Sequence, residues 1–226
     1  MIVDCDNYSD FDPQWFEPDR WHAAGALTHS TTGRGSVLML DRGGETWVYR
    51  HYHRGGLVAH FIYDHYLWTG LERSRPFREW RLLDFMHERA LPSPQPVAAR
   101  LARKGPFYRA DIITVLLPDT RPLSSILVEA WADSELWSRI GTMVARFHAL
   151  GVDHPDLTAH NILVDTQGQV FLVDFDNALC RSGVEWRATG VARLKRSLQK
   201  VALETGTAFS AKAWSKLFGA YTDYQP

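Results

Sequence analysis

Residues 154–176 read HPDLTAHNILVDTQGQVFLVDFD. Two apolar runs flank the turn residues TQGQ, the pattern of two strands joined by a tight connection. An antiparallel hairpin brings its two open ends together. Here those ends carry Asn161 and Asp174, thirteen residues apart, and Asp156 lies five residues before Asn161. The hairpin therefore gathers two carboxylates and one amide at one edge of a cleft.

These residue types suit phosphoryl transfer. That chemistry needs a carboxylate beside the attacking hydroxyl and oxygen ligands that hold Mg²⁺ against nucleotide phosphates. The order His154-Pro-Asp156-Leu157, Asn161, Asp174-Phe175-Asp176 matches the spacing of the protein-kinase catalytic loop and the metal-binding motif that follows it. Each piece alone is common; the ordered set is specific. Upstream, such a site calls for a Gly-rich strand turn over the phosphates. Gly33, Gly35 and Ser36 are the candidates, with Leu38 where a third glycine would stand. The next strand should present a lysine, yet the first lysine of the chain is Lys104, and Arg50 in WVYRHY occupies the place. An arginine fork also contacts phosphates. A helical acid should hold that cation. Glu79 in FREWRLL is the candidate, with Asp84 and Glu88 behind it. Asp176 stands where the metal motif usually ends in glycine, so its backbone is less permissive.

The rest of the chain fits around this core. Residues 1–22 look irregular, and residues 25–52 read as strands with a Gly-Gly turn in DRGGE. Residues 76–90 carry apolar positions at helical spacing, LPSPQPVA is a loop leading to another strand, and DIITVLLP is a buried strand. Residues 123–150 read as broadly helical, and 183–226 as mostly helical. Strands first and helices later predict an α+β chain of two lobes: a sheet-rich lobe over 1–118 and a reduced, mainly helical lobe over 119–226.

Bulk counts exclude several classes. With 45% hydrophobic and 23% charged residues in 226, this is an ordinary globular composition. A formal net charge of −1 argues against a nucleic-acid polycation. Two distant cysteines build no framework and suggest a reducing compartment. The first nineteen residues hold six acids and no base, the reverse of a signal peptide, and no apolar run reaches membrane-spanning length. Residues 50–109 hold 11 Arg or Lys against 5 Asp or Glu, which suits an anionic ligand or membrane surface.

The stretches HPDLTAHNIL (154–163), LVDFDNALCR (172–181) and above all RHYHRGGL (50–57), where a kinase would carry its lysine strand, resemble the small bacterial kinases of lipopolysaccharide core sugars. They are most similar to the 3-deoxy-D-manno-octulosonic acid (Kdo) kinase family. FREWRLL and the hinge-like LPDTRPL fit as well, so the resemblance runs from about residue 30 to residue 200. It implies a protein-kinase-like fold with ATP between the lobes, Asp156 as catalytic base, and Mg²⁺ on Asn161 and Asp174. It implies transfer to the 4-hydroxyl of Kdo on a lipid A precursor, at the cytoplasmic face of the bacterial inner membrane. There the protein would be peripheral and in contact with the anionic lipid surface.

Other readings stay open on the residues alone. A kinase of another small molecule (a core heptose, an aminoglycoside, a choline-like alcohol) would carry the same motifs. A protein kinase is disfavoured, because only 50 residues follow Asp176 and no A-P-E motif is among them. A degenerate kinase-like binding module would explain the missing lysine and third glycine, but not the presence of Asp156, Asn161 and Asp174 together.

Overall fold

The computed structural model describes residues 1–23, 25–30, 37–52 and 66–225. Gly33, Arg34, Gly35, Ser36, His53 and Arg54 lie outside the described residues. The chain divides into two compact units, residues 1–84 with 94–116, and residues 85–93 with 117–226.

The first unit is built on an antiparallel sheet. In chain order its strands are β1 (Ile2–Val3), β2 (Leu27–Ser30), β3 (Val37–Asp41), β4 (Thr46–His51), β5 (Tyr66–Leu67), β6 (Pro96–Lys104) and β7 (Phe107–Val115). They lie in the order β1-β6-β7-β4-β3-β2, with β5 also on β7. The β3–β4 turn uses Gly43 and Gly44, both at positive φ (79° and 141°), as the Gly-Gly signal requires. β6 begins at Pro96 with an irregular register to Ala98. Proline is tolerated at a strand's first position, so the strand starts inside what the prolines suggested was loop.

Alternation along β4 sends Trp47 and Tyr49 into the core and leaves Val48 and Arg50 half-buried on the opposite face. The segment 1–23, whose first 22 residues looked irregular in sequence, packs with Trp47 and Tyr49. It contains only β1, a 3₁₀ turn at Pro13–Phe16 and the short helix α1 (Pro18–Ala23). Tyr8, Phe16 and Trp21 are buried against Leu40, Trp47 and Ile113. The Arg42 guanidinium lies 4.7 Å from the Trp15 ring centre and 4.9 Å from that of Trp47. It pairs with Asp10 at 2.5 Å. No long period marks this segment, because its aromatic rings are aimed by separate turns and by one 3₁₀ and one α-helix of only four and six residues. Helix α2 (Arg75–His87) carries the acid that Arg50 meets.

The second unit is mainly helical. It has α3 (Leu127–Ala130), α4 (Ser134–Ala149), α5 (Glu185–Glu204) and α6 (Ala211–Thr222). It also holds short ladders formed by β8 (Arg121–Pro122), β9 (Val152–Asp153), β10 (Ile162–Val164), β11 (Val170–Leu172) and β12 (Leu179–Cys180). The broadly helical stretch 123–150 is broken at 131–133, where the Asp133 carboxylate accepts the backbone N–H groups of Glu135 and Leu136 and starts α4. Trp137 of α4 is fully buried, its indole donating to the Ala130 carbonyl at 2.7 Å. Burying a side chain of that size contributes roughly 1.5–3 kcal/mol. Both cysteines are exposed and unbridged. Among the described residues, no helix is long and apolar enough to cross a membrane.

Helix α6 packs on α4 rather than standing alone. At Gly141 an added Cβ would lie 2.1 Å from the Leu217 backbone carbonyl oxygen. Next to this contact, His148 is 3% exposed and its Nδ1 lies 2.8 Å from the Tyr221 hydroxyl. Burial, helped by the nearby Arg187 charge, pushes His148 from its ordinary 6.5 down to about 4.

Two expectations follow. Gly141→Ala forces the helices apart and lowers stability by about 1–3 kcal/mol in chemical denaturation, with an overpacked core as the cause. His148 stays neutral in the folded protein while the unfolded chain takes up a proton below pH 6.5. Its contribution is therefore full above 6.5 and lost as the pH falls towards 4, amounting to roughly 3 kcal/mol at most. His148→Gln keeps a polar partner for Tyr221 and removes the titration, so its denaturation midpoint should fall less than the wild type's between pH 7 and pH 4.5; an equal fall would refute the linkage.

Candidate active site

The β10–β11 ladder pairs Ile162 with Leu172, Leu163 with Phe171 and Val164 with Val170. Its turn is tied by Asp165, whose carboxylate accepts the N–H groups of Gln167 (2.8 Å) and Gln169 (2.7 Å), with Gly168 at φ 74°. Beyond the last ladder pair, the Val173 N–H donates to the Asn161 carbonyl at 3.0 Å. The pairing thus extends to the open end and sets Asn161 beside the residue that precedes Asp174.

Asn161 and Asp156 are joined directly. The Asn161 amide nitrogen donates to the Asp156 backbone carbonyl at 2.9 Å and to its carboxylate at 3.1 Å. Both bonds use the nitrogen, so the amide oxygen is turned away from them. The Asp156 side chain belongs to an exposed residue, where an approaching hydroxyl can reach it. His160, between the two, is exposed as well.

His154 ties this loop to the second half of the hairpin. It is 3% exposed, and burial pushes its pKa down, so it is neutral and its Nε2 donates to the Val173 carbonyl at 3.0 Å. Its ring meets Phe175 edge-on at 5.0 Å, and Phe175 stacks on Phe147 at 5.8 Å. Between these anchored residues Asp174 holds φ at 68°, a left-handed conformation that costs a non-glycine residue about 1 kcal/mol or more. The positive φ falls on Asp174 and not on Asp176, where the usual glycine is missing. The short β9–β12 ladder, Asp153 opposite Leu179, closes the chain behind the motif.

In the first unit Arg50 and Glu79 form an ion pair, with Glu79 4% exposed. The Tyr52 hydroxyl donates to the other Glu79 oxygen at 2.5 Å, and the Arg50 guanidinium lies 5.0 Å from the Tyr52 ring centre. The acid of α2 is thus fixed from both sides, and the Arg50 fork is aimed by a carboxylate and an aromatic ring. The sequence offers Arg50 and Glu79 as candidates, and the structure pairs them and adds Tyr52. Its signal was there, since Tyr52 lies two residues after Arg50 in the alternating run.

Asp111 is the centre of a separate buried polar network in the first unit. It accepts from Tyr49 (2.8 Å) and Arg100 (2.9 Å) and contacts His51 Nδ1 (2.6 Å). Burial alone would raise its pKa, but the hydrogen bonds from His51 and Tyr49 and the Arg100 charge outweigh that and hold it below the usual range.

The donor set around Asp156 suits a hard cation. Asp174 supplies a carboxylate and Asn161 an amide oxygen. Among the described residues, no three His, Cys, Asp or Glu side chains cluster as a self-sufficient metal cage.

A family model described as "Lipopolysaccharide kinase (Kdo/WaaP) family" matches residues 18–221. The chain is 36% identical over 202 residues to the 3-deoxy-D-manno-octulosonic acid kinase of Vibrio cholerae serotype O1, covering 89% of this chain and 86% of that protein. It is 39% identical over 207 residues to the protein of the same name from Stenotrophomonas maltophilia K279a, covering 91% and 82%. With its counterpart from Actinobacillus succinogenes it shares 38% over 215 residues, covering 92% and 90%. A solved structure of WaaP in complex with acyl carrier protein superposes with a TM-score of 0.63 at 16% identity, over 100% of this chain and 89% of that one. The fold is accordingly α+β and protein-kinase-like.

Glu79→Gln keeps the shape of the Arg50 site and removes the charge. Thermal or chemical denaturation should show a loss of roughly 3 kcal/mol, the scale of breaking a buried ion pair. A variant as stable as the wild type would mean that the pair contributes no net stability.

Proposed function

The chain belongs to the lipopolysaccharide kinase (Kdo/WaaP) family, and we propose that it is an ATP-dependent 3-deoxy-D-manno-octulosonic acid kinase. The acceptor is the 4-hydroxyl of a Kdo residue on a Kdo–lipid A precursor, and the reaction belongs to lipopolysaccharide core biosynthesis. The observation that carries this reading is the joint one: relatives of that name align along most of the chain, and the hairpin joins Asp156 to Asn161 and leads into Asp174.

Each residue has a role in the proposal. The Asp156 carboxylate takes the proton of the acceptor hydroxyl as the oxygen attacks the γ-phosphorus. The new O–P bond forms, the bond from the γ-phosphorus to the bridging oxygen breaks, and ADP leaves with the electron pair. Asn161 holds Asp156 in place through its amide nitrogen and offers its amide oxygen, with the Asp174 carboxylate, to Mg²⁺. Bound there, Mg²⁺ offsets the charge of the nucleotide phosphates. Arg50 replaces the lysine usual in kinases and contacts the phosphates of ATP as a planar fork. Glu79 and Tyr52 keep that fork in one orientation. Gly33, Gly35 and Ser36 would offer backbone N–H groups to the phosphates.

A lipid-linked acceptor puts the work at a bilayer surface. We place the protein peripherally on the cytoplasmic face of the bacterial inner membrane, with the cationic excess of residues 50–109 favouring anionic lipid and an anionic acceptor.

The test is incubation with Mg-ATP and a Kdo-bearing lipid A precursor, followed by mass spectrometry. The wild type should add one phosphate. Asp156→Asn should lose about 10²–10⁴-fold in turnover, the usual worth of a general base, while still binding ATP. Turnover retained in that variant would remove Asp156 as the base. No transfer by a wild type that binds ATP would favour a different acceptor or a binding module.

A further inference from the structure

Ala159 has no side-chain chemistry, yet it is the most firmly tied residue of the loop between Asp156 and Asn161. It is fully buried, at 0% exposed. Its N–H donates to the Ser197 hydroxyl of α5 at 3.0 Å, and its carbonyl accepts the Ser124 N–H, also at 3.0 Å. Neither partner belongs to the loop. The loop consists of two successive turns, Leu157 N–H to the His154 carbonyl (3.2 Å) and Asn161 N–H to the Thr158 carbonyl (3.1 Å). Ala159 sits inside the second turn, the one that delivers the Asn161 amide to Asp156.

We infer that Ser197 is a positioning residue for this site: its hydroxyl fixes the 158–161 turn and, through it, the orientation of the Asn161 amide and the Asp156 carboxylate. The inference rests on the phosphotransfer reading above. Ser197 reaches the loop from a helix that is itself well seated, with Leu194 and Leu198 at 0% exposed and Val201 at 3%. A serine inside a helix forgoes some helix propensity, and here its oxygen serves a buried N–H. Buried backbone donors are almost always paired. Without the hydroxyl, the Ala159 N–H regains a partner only if the turn rotates or admits a water. Either change moves Asn161. A catalytic group misplaced by about 1 Å can cost about 100-fold in rate.

The experiment compares Ser197→Ala and Ser197→Thr in the full chain by amide hydrogen exchange at Ala159 and by steady-state kinetics. Ser197→Ala should exchange faster at Ala159 and lose roughly 10- to 100-fold in kcat, with the KM for ATP and the melting temperature near wild type. Ser197→Thr, which keeps the hydroxyl, should restore both the protection and most of kcat. Three results would each overturn the proposal: unchanged exchange at Ala159 in Ser197→Ala, a kcat within about twofold of wild type, or a full loss shared by Ser197→Thr. If Ser197→Ala does not fold, Ser197→Cys takes its place, with a sulfur as a weaker acceptor, and is judged by the same results. If the wild type itself transfers no phosphate to the Kdo acceptor, the functional reading falls, while exchange at Ala159 still upholds or overturns the role of Ser197.

Discussion

The register of the β10–β11 hairpin governs the site. Ile162 stands opposite Leu172 and Val164 opposite Val170, and all four are buried. Leu163 and Phe171 alternate with them on the less buried side. A slip of one residue would turn every buried side chain outward, so burial enforces the pairing. Once it is enforced, the Asn161 carbonyl must meet the Val173 N–H, and Asp174 must follow at the open end. The strained φ of Asp174 is sustained because residues on both sides are held, Val173 by His154 and Phe175 by Phe147. Backbone strain at a site persists only when the surroundings overdetermine it.

The first unit solves a different problem: holding the Arg50 guanidinium in one orientation. A lysine ammonium is a compact charge on a flexible stem, whereas a guanidinium has a plane that must be oriented. Arg50 is oriented by Glu79 and by the face of Tyr52. Glu79 is buried and would be costly as a lone charge. It is engaged by Arg50 on one oxygen and Tyr52 on the other. Arg50 thus comes with a supporting tyrosine two residues on, which meets both the guanidinium and the acid that pairs with it.

Much of this was legible in the sequence because it is local. The turn residues TQGQ and GG, the alternation along β4 and the helical spacing of α2 each act over a few residues. The spacing from Asp156 to Asn161 to Asp174 is local as well once the hairpin is recognised. The segment 1–23 was not legible. Its aromatic residues follow no period, and their partner Trp47 lies in a strand some thirty residues away. Asp111 looked like the first residue of a buried strand. Its partner Arg100 sits directly opposite it on β6, in a register that the composition of neither strand announces.

The sequence by itself determined the side chains on offer: Asp156, Asn161 and Asp174 at fixed spacing before, at the start of and after a hairpin, and Arg50 in an alternating strand. Those facts depend on covalent neighbours and on the two-residue period of strands. Only the tertiary structure decided how firmly the groups are held. Ser197 meets Ala159 across 38 residues, and Arg100 meets Glu17 across 83. Such bonds form because helices and sheets have already packed on their apolar faces, and that packing brings together polar atoms with no relation along the chain.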